Sequence, residues 1–274
     1  MHQIFTKIKP DKIDDLVAIN ALVRPGPADA KMPERVNQRK NFNEEWQTDN
    51  KIIDDILGNT YGVILYQEQT TDILNKLGGF SLDRAEDIRR EIIKYGKAKL
   101  QEHQEVIVDA KNDFINGAFK NRCDPTHAAE IWDNIAMFSR YGFSVNHAAP
   151  YSLIGYWMMF FKVYYPTIFF AASLSYENDK LKREVLKTEV TRAKIKFLPP
   201  DINRSDKDYI VTNGSIRIGL SSIDYVGARG IEEILNKRPF KSMEDFYSRI
   251  NKRSLNKRAV QALIDQGAIP WLRK

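Results

Sequence analysis

The chain has 274 residues, 43% of them apolar, and a net charge of +6, which is enough material for one sizeable core or two modest ones and unlike a disordered tail. Its single cysteine, Cys123, excludes an intramolecular disulfide framework, and four histidines leave almost nothing for a zinc site of several Cys and His ligands. The charge is uneven: residues 180–274 hold 21 Lys and Arg against 11 Asp and Glu, while residues 1–179 hold 21 against 25. A basic C-terminal third is either a solvated face or the electrostatic footprint of a polyanion site.

The first residues, "MHQIFTKIKPDKIDD", are too charged for a signal-peptide core and too acidic for a transit peptide, so a reducing, cytoplasmic location is expected. Apolar positions at Ile4, Ile8, Ile13, Leu16, Val17, Ile19 and Leu22 predict two short helices joined at "KPD", with Asp11 as a cap. The "RPGP" of residues 24–27 reads as a rigid turn, because its prolines lack the N–H that a helix interior needs. A charged region follows to Asn50. Ile53, Ile56 and Leu57, then Ile73, Leu74 and Leu77, have helical spacing closed by Gly78-Gly79, with "YGVILY" between them as a short strand or a helix start.

Ser81 caps a predicted helix whose Leu82, Ala85, Ile88, Ile92 and Ile93 share a face, so Arg89, Arg90 and Lys94 gather on or beside the other. Residues 97–119 and 125–139 predict further amphipathic helices, 151–176 a strongly apolar pair broken at Pro166, and 178–194 a polar connector. After this the pattern changes. A short strand enters "KFLPPDIN", and "YIVTNGSIRIGL" is a hairpin about Asn213-Gly214. Two helical stretches, "IDYVGARGIEEILNKR" and "SLNKRAVQALIDQGAI", complete the chain. The class is mainly α, with a helical domain over 1–196 and a small, basic α+β domain over 197–274.

Several sites can be weighed on residue chemistry alone. Residues 151–174 are apolar, but Lys162 at their middle costs about 2.5 to 3.5 kcal/mol in a bilayer, and Pro166 breaks the run; a buried helical hairpin with "YSLIGYWMMFF" as core packing fits better than a membrane span. Cys123 and His127 are two ligands without companions. Asp206 and Asp208 read as solvated turn residues rather than a two-metal pair. Arg89, Arg90 and Lys94 could clamp a triphosphate, since guanidinium forks match phosphate oxygens. "YGFSVNH" supplies an aromatic, an amide and an imidazole, although His147 by itself reads as a core histidine. Gly227 opens a helix whose N–H groups could receive a phosphate, amid Arg229, Lys237, Arg238 and Lys241.

Taken together, "KPDKIDDLVAINALVRPGPAD", "TYGVILYQEQ", "LGGFSLDRAEDIRREIIK", "YGFSVNHAAPYSLIGYWMMFFKVYYPTIFFAASLS", "FLPPDIN" and "SLNKRAVQALIDQGAI" follow the order found in bacterial replicative DNA polymerase III alpha subunits, the C family of DNA polymerases. The resemblance runs from the first helix to residue 268. It implies a helical fingers domain followed by a helix-hairpin-helix-like region. It also implies that Arg89, Arg90 and Lys94 bind the triphosphate of an incoming dNTP, with Tyr141, Asn146 and His147 beside that pocket and Gln67, Glu68 and Gln69 on the inner fingers surface. Gly227, Arg229, Lys237, Arg238 and Lys241 would meet primer-template DNA.

Two departures stand out: Val145 replaces a lysine of the usual "FNKSH", and Tyr225 replaces the first glycine of the hairpin block. The palm aspartates of the family have no counterpart in the sequence. The expectation is therefore a polymerase part that is not catalytic alone, binds no cofactor itself, and depends on a separate palm-bearing chain holding Mg2+, with other replisome subunits as further partners and no membrane. The alternative is a stand-alone DNA-binding or regulatory protein derived from such fingers.

Overall fold

The computed structural model of the protein describes residues 2–95, 102–138 and 142–272. These form fifteen α-helices and one three-stranded sheet. The chain divides into two compact units, residues 1–155 and 156–274.

Unit 1 opens with α1 (His2–Ile8) and α2 (Ile13–Leu22), the two short helices expected around "KPD". Asp11 is not the cap. Lys12 takes that position, and the Asp15 carboxylate in the first turn accepts the backbone N–H groups of Asp11 at 3.1 Å and Lys12 at 3.4 Å. The "RPGP" turn is a helix as well: α3 (Pro25–Asp29) starts on Pro25, where the absent N–H would have had no intrahelical partner. The charged region contains α4 (Met32–Asn41), which buries Met32, Pro33 and Val36.

After α5 (Lys51–Leu57), residues 63–66 are buried, and Tyr66 makes a parallel bridge to Phe143. Helix α6 (Gln67–Asp72) runs into a π-helical turn, Ile73–Leu77, and ends at Gly79 with φ 75°. Ser81 Oγ accepts the Arg84 N–H at 3.3 Å at the start of α7 (Leu82–Tyr95), which buries Ala85, Ile88 and Ile92 as their spacing predicts. Helices α8 (Glu102–Lys120) and α9 (Pro125–Phe138) bring Phe114 and Trp132 to a centroid distance of 5.6 Å in the core.

Helix α10 (Val145–Tyr164) contains the division between the units. Only its Ala148 and Ser152 are buried, and Ser152 Oγ donates to the Leu16 carbonyl at 3.3 Å. The expectation that residues 151–161 are core packing is overturned: Trp157, Met159, Phe161 and Val163 are 48–66% exposed. An apolar run marks a side chain that gains from burial, but burial requires an element to cover each side of the helix. No helix among the described residues is long and apolar enough to cross a membrane.

In unit 2, α11 (Pro166–Tyr176) buries Phe170, Ala171 and Leu174 with Val190 of α12 (Lys180–Arg192). The strands β1 (Phe197–Leu198), β2 (Ile210–Thr212) and β3 (Ser215–Arg217) lie in the order β1-β3-β2. Asn213 at φ 48° and Gly214 at φ 73° make the expected hairpin turn, both residues being left-handed. Tyr209 and Ile216 share the core of α11 and α12, so residue 197 lies inside a common cluster rather than between two. A second cluster joins α13 (Ala228–Lys237), α14 (Met243–Arg249) and α15 (Lys257–Asp265) through Ile234, Phe246 and Leu263. Helix α14 falls between the two helices expected there, and its cap signal, Ser242 accepting the Asp245 N–H at 3.2 Å, is present in "SMED".

Two constraints fix unit 1. The fully buried Asp15 carboxylate accepts from Lys40 Nζ at 2.9 Å and from the Tyr61 hydroxyl at 2.8 Å. Burial alone would raise its pKa, but these bonds hold the carboxyl below the ordinary value, and the same burial and bond push the Tyr61 hydroxyl up to about 12. Gly117 of α8 lies so close to the Gly78 carbonyl that a Cβ would strike backbone. Lys40→Met is expected to lower the unfolding free energy by about 3 kcal/mol, the low end for an orphaned buried charge, because Tyr61 still donates. A urea titration measures this, and adding Asp15→Asn should recover part of the loss. In the same assay Gly117→Ala should cost about 1 to 3 kcal/mol by overpacking.

Candidate functional site

The candidate residues of unit 1 are organised by the first turn of α6. Buried Gln69 accepts the Leu65 and Tyr66 N–H groups at 2.9 and 3.0 Å and donates to Thr60 Oγ1 at 2.8 Å, which makes it an internal brace and not a surface contact. Glu68 accepts Ser144 Oγ at 2.7 Å and the Val145 N–H at 3.0 Å, meeting donors that the start of α10 would otherwise leave open. The Gln67 N–H donates to the Phe143 carbonyl at 3.0 Å. Residues 143–145 are thereby tied to α6.

Asn146 and His147 follow on the first turn of α10, both exposed. His147 is therefore not a core histidine. Its ring meets Phe143 edge-on at 5.4 Å and stacks on Tyr151 at 5.9 Å, while the Arg24 guanidinium lies 4.8 Å from the Phe143 centroid. Arg24 and Tyr151 were missed as site neighbours, the first because it was read as part of a turn and the second as core. The four-residue step from His147 to Tyr151 was the available signal. Val145 packs against the core of unit 1 and supplies no charge. Tyr141 lies outside the described residues.

On the other flank of α6, Thr71 Oγ1 donates to Glu86 at 3.3 Å. Glu86 holds Arg89 by two bonds of 2.6 and 2.8 Å and accepts Arg90 Nε at 3.0 Å, at i+3 and i+4 along α7. The bonds from Arg89 above all, against a smaller effect of burial, hold the Glu86 carboxyl at about 2, and the same partner raises the Arg89 guanidinium. Glu68 adds to the negative field at Arg89. The arginines are not equivalent: the Arg89 side chain is 11% exposed and that of Arg90 70%. Lys94 lies one turn further along, exposed. This face carries one half-buried guanidinium paired with Glu86 and two exposed cations, Arg90 and Lys94. Two surface hollows lie elsewhere, one lined by Lys162, Phe170, Glu189 and Arg192 and the other by Ile52, Asp55, Asp72 and Lys76.

In unit 2, Gly227 is the exposed N-cap of α13, with open space where a Cβ would sit, and Arg229 and Lys241 are exposed. Gly230 packs against the segment before α15, where an added Cβ would approach Leu255 Cδ2 to 2.9 Å. Lys237 and Arg238 have structural partners: Lys237 Nζ donates to Glu233 and to the Arg249 carbonyl, each at 2.6 Å, and Arg238 donates to the Ser205 carbonyl at 2.7 Å. Lys252, Arg253, Lys257 and Arg258 are exposed around the start of α15 and add cations that the sequence analysis did not single out.

A helical unit with paired arginines on α7, followed by a basic unit with a small sheet and three helices, defines the class. Residues 1–116 match the model of the bacterial DNA polymerase III alpha subunit finger domain, and residues 194–274 match the helix-hairpin-helix motif. The DNA polymerase III subunit alpha of Borreliella burgdorferi is 37% identical over 97% of this chain and 23% of its own length. Those of Bacillus subtilis and Aquifex aeolicus are 34% and 33% identical over 98% and 100% of this chain, covering 24% and 23% of their lengths. The chain belongs to the bacterial DNA polymerase III alpha subunit family, in its finger-domain and helix-hairpin-helix region, and spans under a quarter of the length of these relatives.

Glu86 gives a pH prediction. A carboxyl lowered from 4.5 to about 2 adds stability that is complete above 4.5 and is lost as pH falls toward 2. Glu86→Gln should be less stable than the parent at pH 7, and the difference should close across that window in acid-unfolding titrations.

Proposed function

We propose that this chain is the fingers portion of a C-family replicative DNA polymerase, binding the incoming dNTP through its triphosphate and the primer-template through its basic C-terminal unit. The observation that carries this reading is the Arg89–Glu86–Arg90 cluster on α7, tied through α6 to the exposed Asn146 and His147. An arginine already oriented by a carboxylate loses less side-chain freedom when a phosphate arrives. Arg90 and Lys94 would engage phosphate oxygens directly, with Arg89 setting the field beneath them. Asn146 and His147 would line the same pocket, and Gly227, Arg229 and Lys241 would meet DNA phosphates.

DNA synthesis in this reading requires a palm-bearing polymerase chain, where Mg2+ would reside, and other replisome subunits are further partners. Among the described residues no three His, Cys, Asp or Glu side chains gather to hold a metal ion.

The test mixes this chain with a palm-bearing alpha-subunit fragment and primer-template, and follows complex lifetime with and without the matching dNTP. Arg89→Ala with Arg90→Ala should remove about 1.5 to 3 kcal/mol of dNTP-dependent stabilisation, the worth of the charge-assisted bond that Arg90 would make. An unchanged dNTP response in the variant sinks the pocket assignment. DNA binding with a steep salt dependence and no dNTP response in the parent favours the stand-alone DNA-binding protein.

A further inference from the structure

We propose that Tyr225 is a base-stacking residue, presenting its open ring face to an unpaired base of single-stranded DNA while Arg258 backs the other face. This rests on the DNA-binding reading of the C-terminal unit and adds to it a contact of a different chemistry.

Tyr225 lies in the four-residue turn 223–226 ahead of α13, closed by the Val226 N–H donating to the Ile223 carbonyl at 3.3 Å. It occupies the third position with φ 67°, and Asp224 before it has no positive φ. That is the type II pattern, in which the third position belongs to glycine because a Cβ there crowds the following carbonyl. A bulky aromatic with positive φ is a true outlier, and such strain persists only where the surroundings impose it.

Packing does not account for it. Ile223 and Val226 on either side are 4% and 6% exposed and anchor the turn, whereas Tyr225 is 64% exposed. Its ring meets the Arg258 guanidinium, 4.9 Å from the centroid, reaching across from the first turn of α15. The ring thus meets a cation from the start of α15 just ahead of Gly227 and Arg229 in the chain, with most of the side chain exposed to solvent. Base stacking on an exposed aromatic within a basic surface is the standard chemistry of single-strand recognition, and a cation behind the ring strengthens it. Aromatic stacking requires an unstacked base, so the geometry selects single-stranded DNA over a closed duplex.

The experiment titrates the whole chain into a single-stranded oligonucleotide carrying 2-aminopurine, following fluorescence quenching and anisotropy, with a blunt duplex in parallel. The parent should bind the single strand and quench the probe. Tyr225→Phe should keep both properties. Tyr225→Gly relieves the positive φ and leaves the core intact, so its melting temperature should not fall. It should nevertheless bind about 5- to 150-fold more weakly, the loss expected for one stacked base, without quenching and with an unchanged salt slope because no phosphate contact is removed. Equal affinity and quenching in Tyr225→Gly overturn the proposal, as does a parent that binds duplex only, which would leave the DNA-binding reading standing. A parent that binds neither DNA overturns both.

Discussion

The first turn of α6 is the constraint on which the candidate site depends. A six-residue helix has too few internal hydrogen bonds to persist alone. Gln69 supplies the missing order from inside, closing the extended segment before the helix and reaching Thr60 behind it. With that turn fixed, Gln67 and Glu68 can hold residues 143–145, and Thr71 can meet Glu86. Residues more than seventy positions apart in the chain are positioned by a single buried amide.

Charge in unit 1 is arranged around two carboxylates, Asp15 and Glu86, that differ in their access to solvent. Asp15 is buried and answered by four donors, so it behaves as a fixed corner joining α2, α4 and the segment at Tyr61. Glu86 is partly open and answered by two arginines, so an arriving anion would compete with it for guanidinium protons. The difference is solvent access. A carboxylate sealed from water stabilises a fold, while one at the surface can yield its partners to a ligand. Val145 packs against the core and supplies no cation, whereas Arg90 and Lys94 are exposed on α7.

The basic character of the C-terminal unit needs similar sorting. Lys237 and Arg238 look like contact residues in a string of cations, but their nitrogens bond carbonyls and a carboxylate within the unit. Arg229, Lys241 and the cations around α15 are the ones that face solvent. A one-dimensional count of charges cannot separate the two groups, since the carbonyls of Ser205 and Arg249 come from distant parts of the chain.

By itself the sequence determined the helical class, the Asn213-Gly214 hairpin, the buried face of α7 at Ala85, Ile88 and Ile92, and the family, because each rests on local spacing, on turn chemistry or on the order of motifs. It also put Arg89, Arg90 and Lys94 within two turns of one helix. It missed the helix starting at Pro25 and the cap supplied by Asp15, since both depend on how a short segment is received by its neighbours. On residue chemistry alone it read His147 as a core histidine, where the family resemblance put it beside a pocket, and it read residues 151–161 as core. The tertiary structure reversed both, for one physical reason: apolarity and aromaticity state what a side chain would gain from burial, and only the placement of other elements decides whether anything covers it. The link from Glu68 to α10 and the reach of Arg258 to Tyr225 are likewise products of tertiary placement, joining groups far apart in the chain, whereas the pairing of Glu86 with Arg89 and Arg90 is local to one helix, at i+3 and i+4.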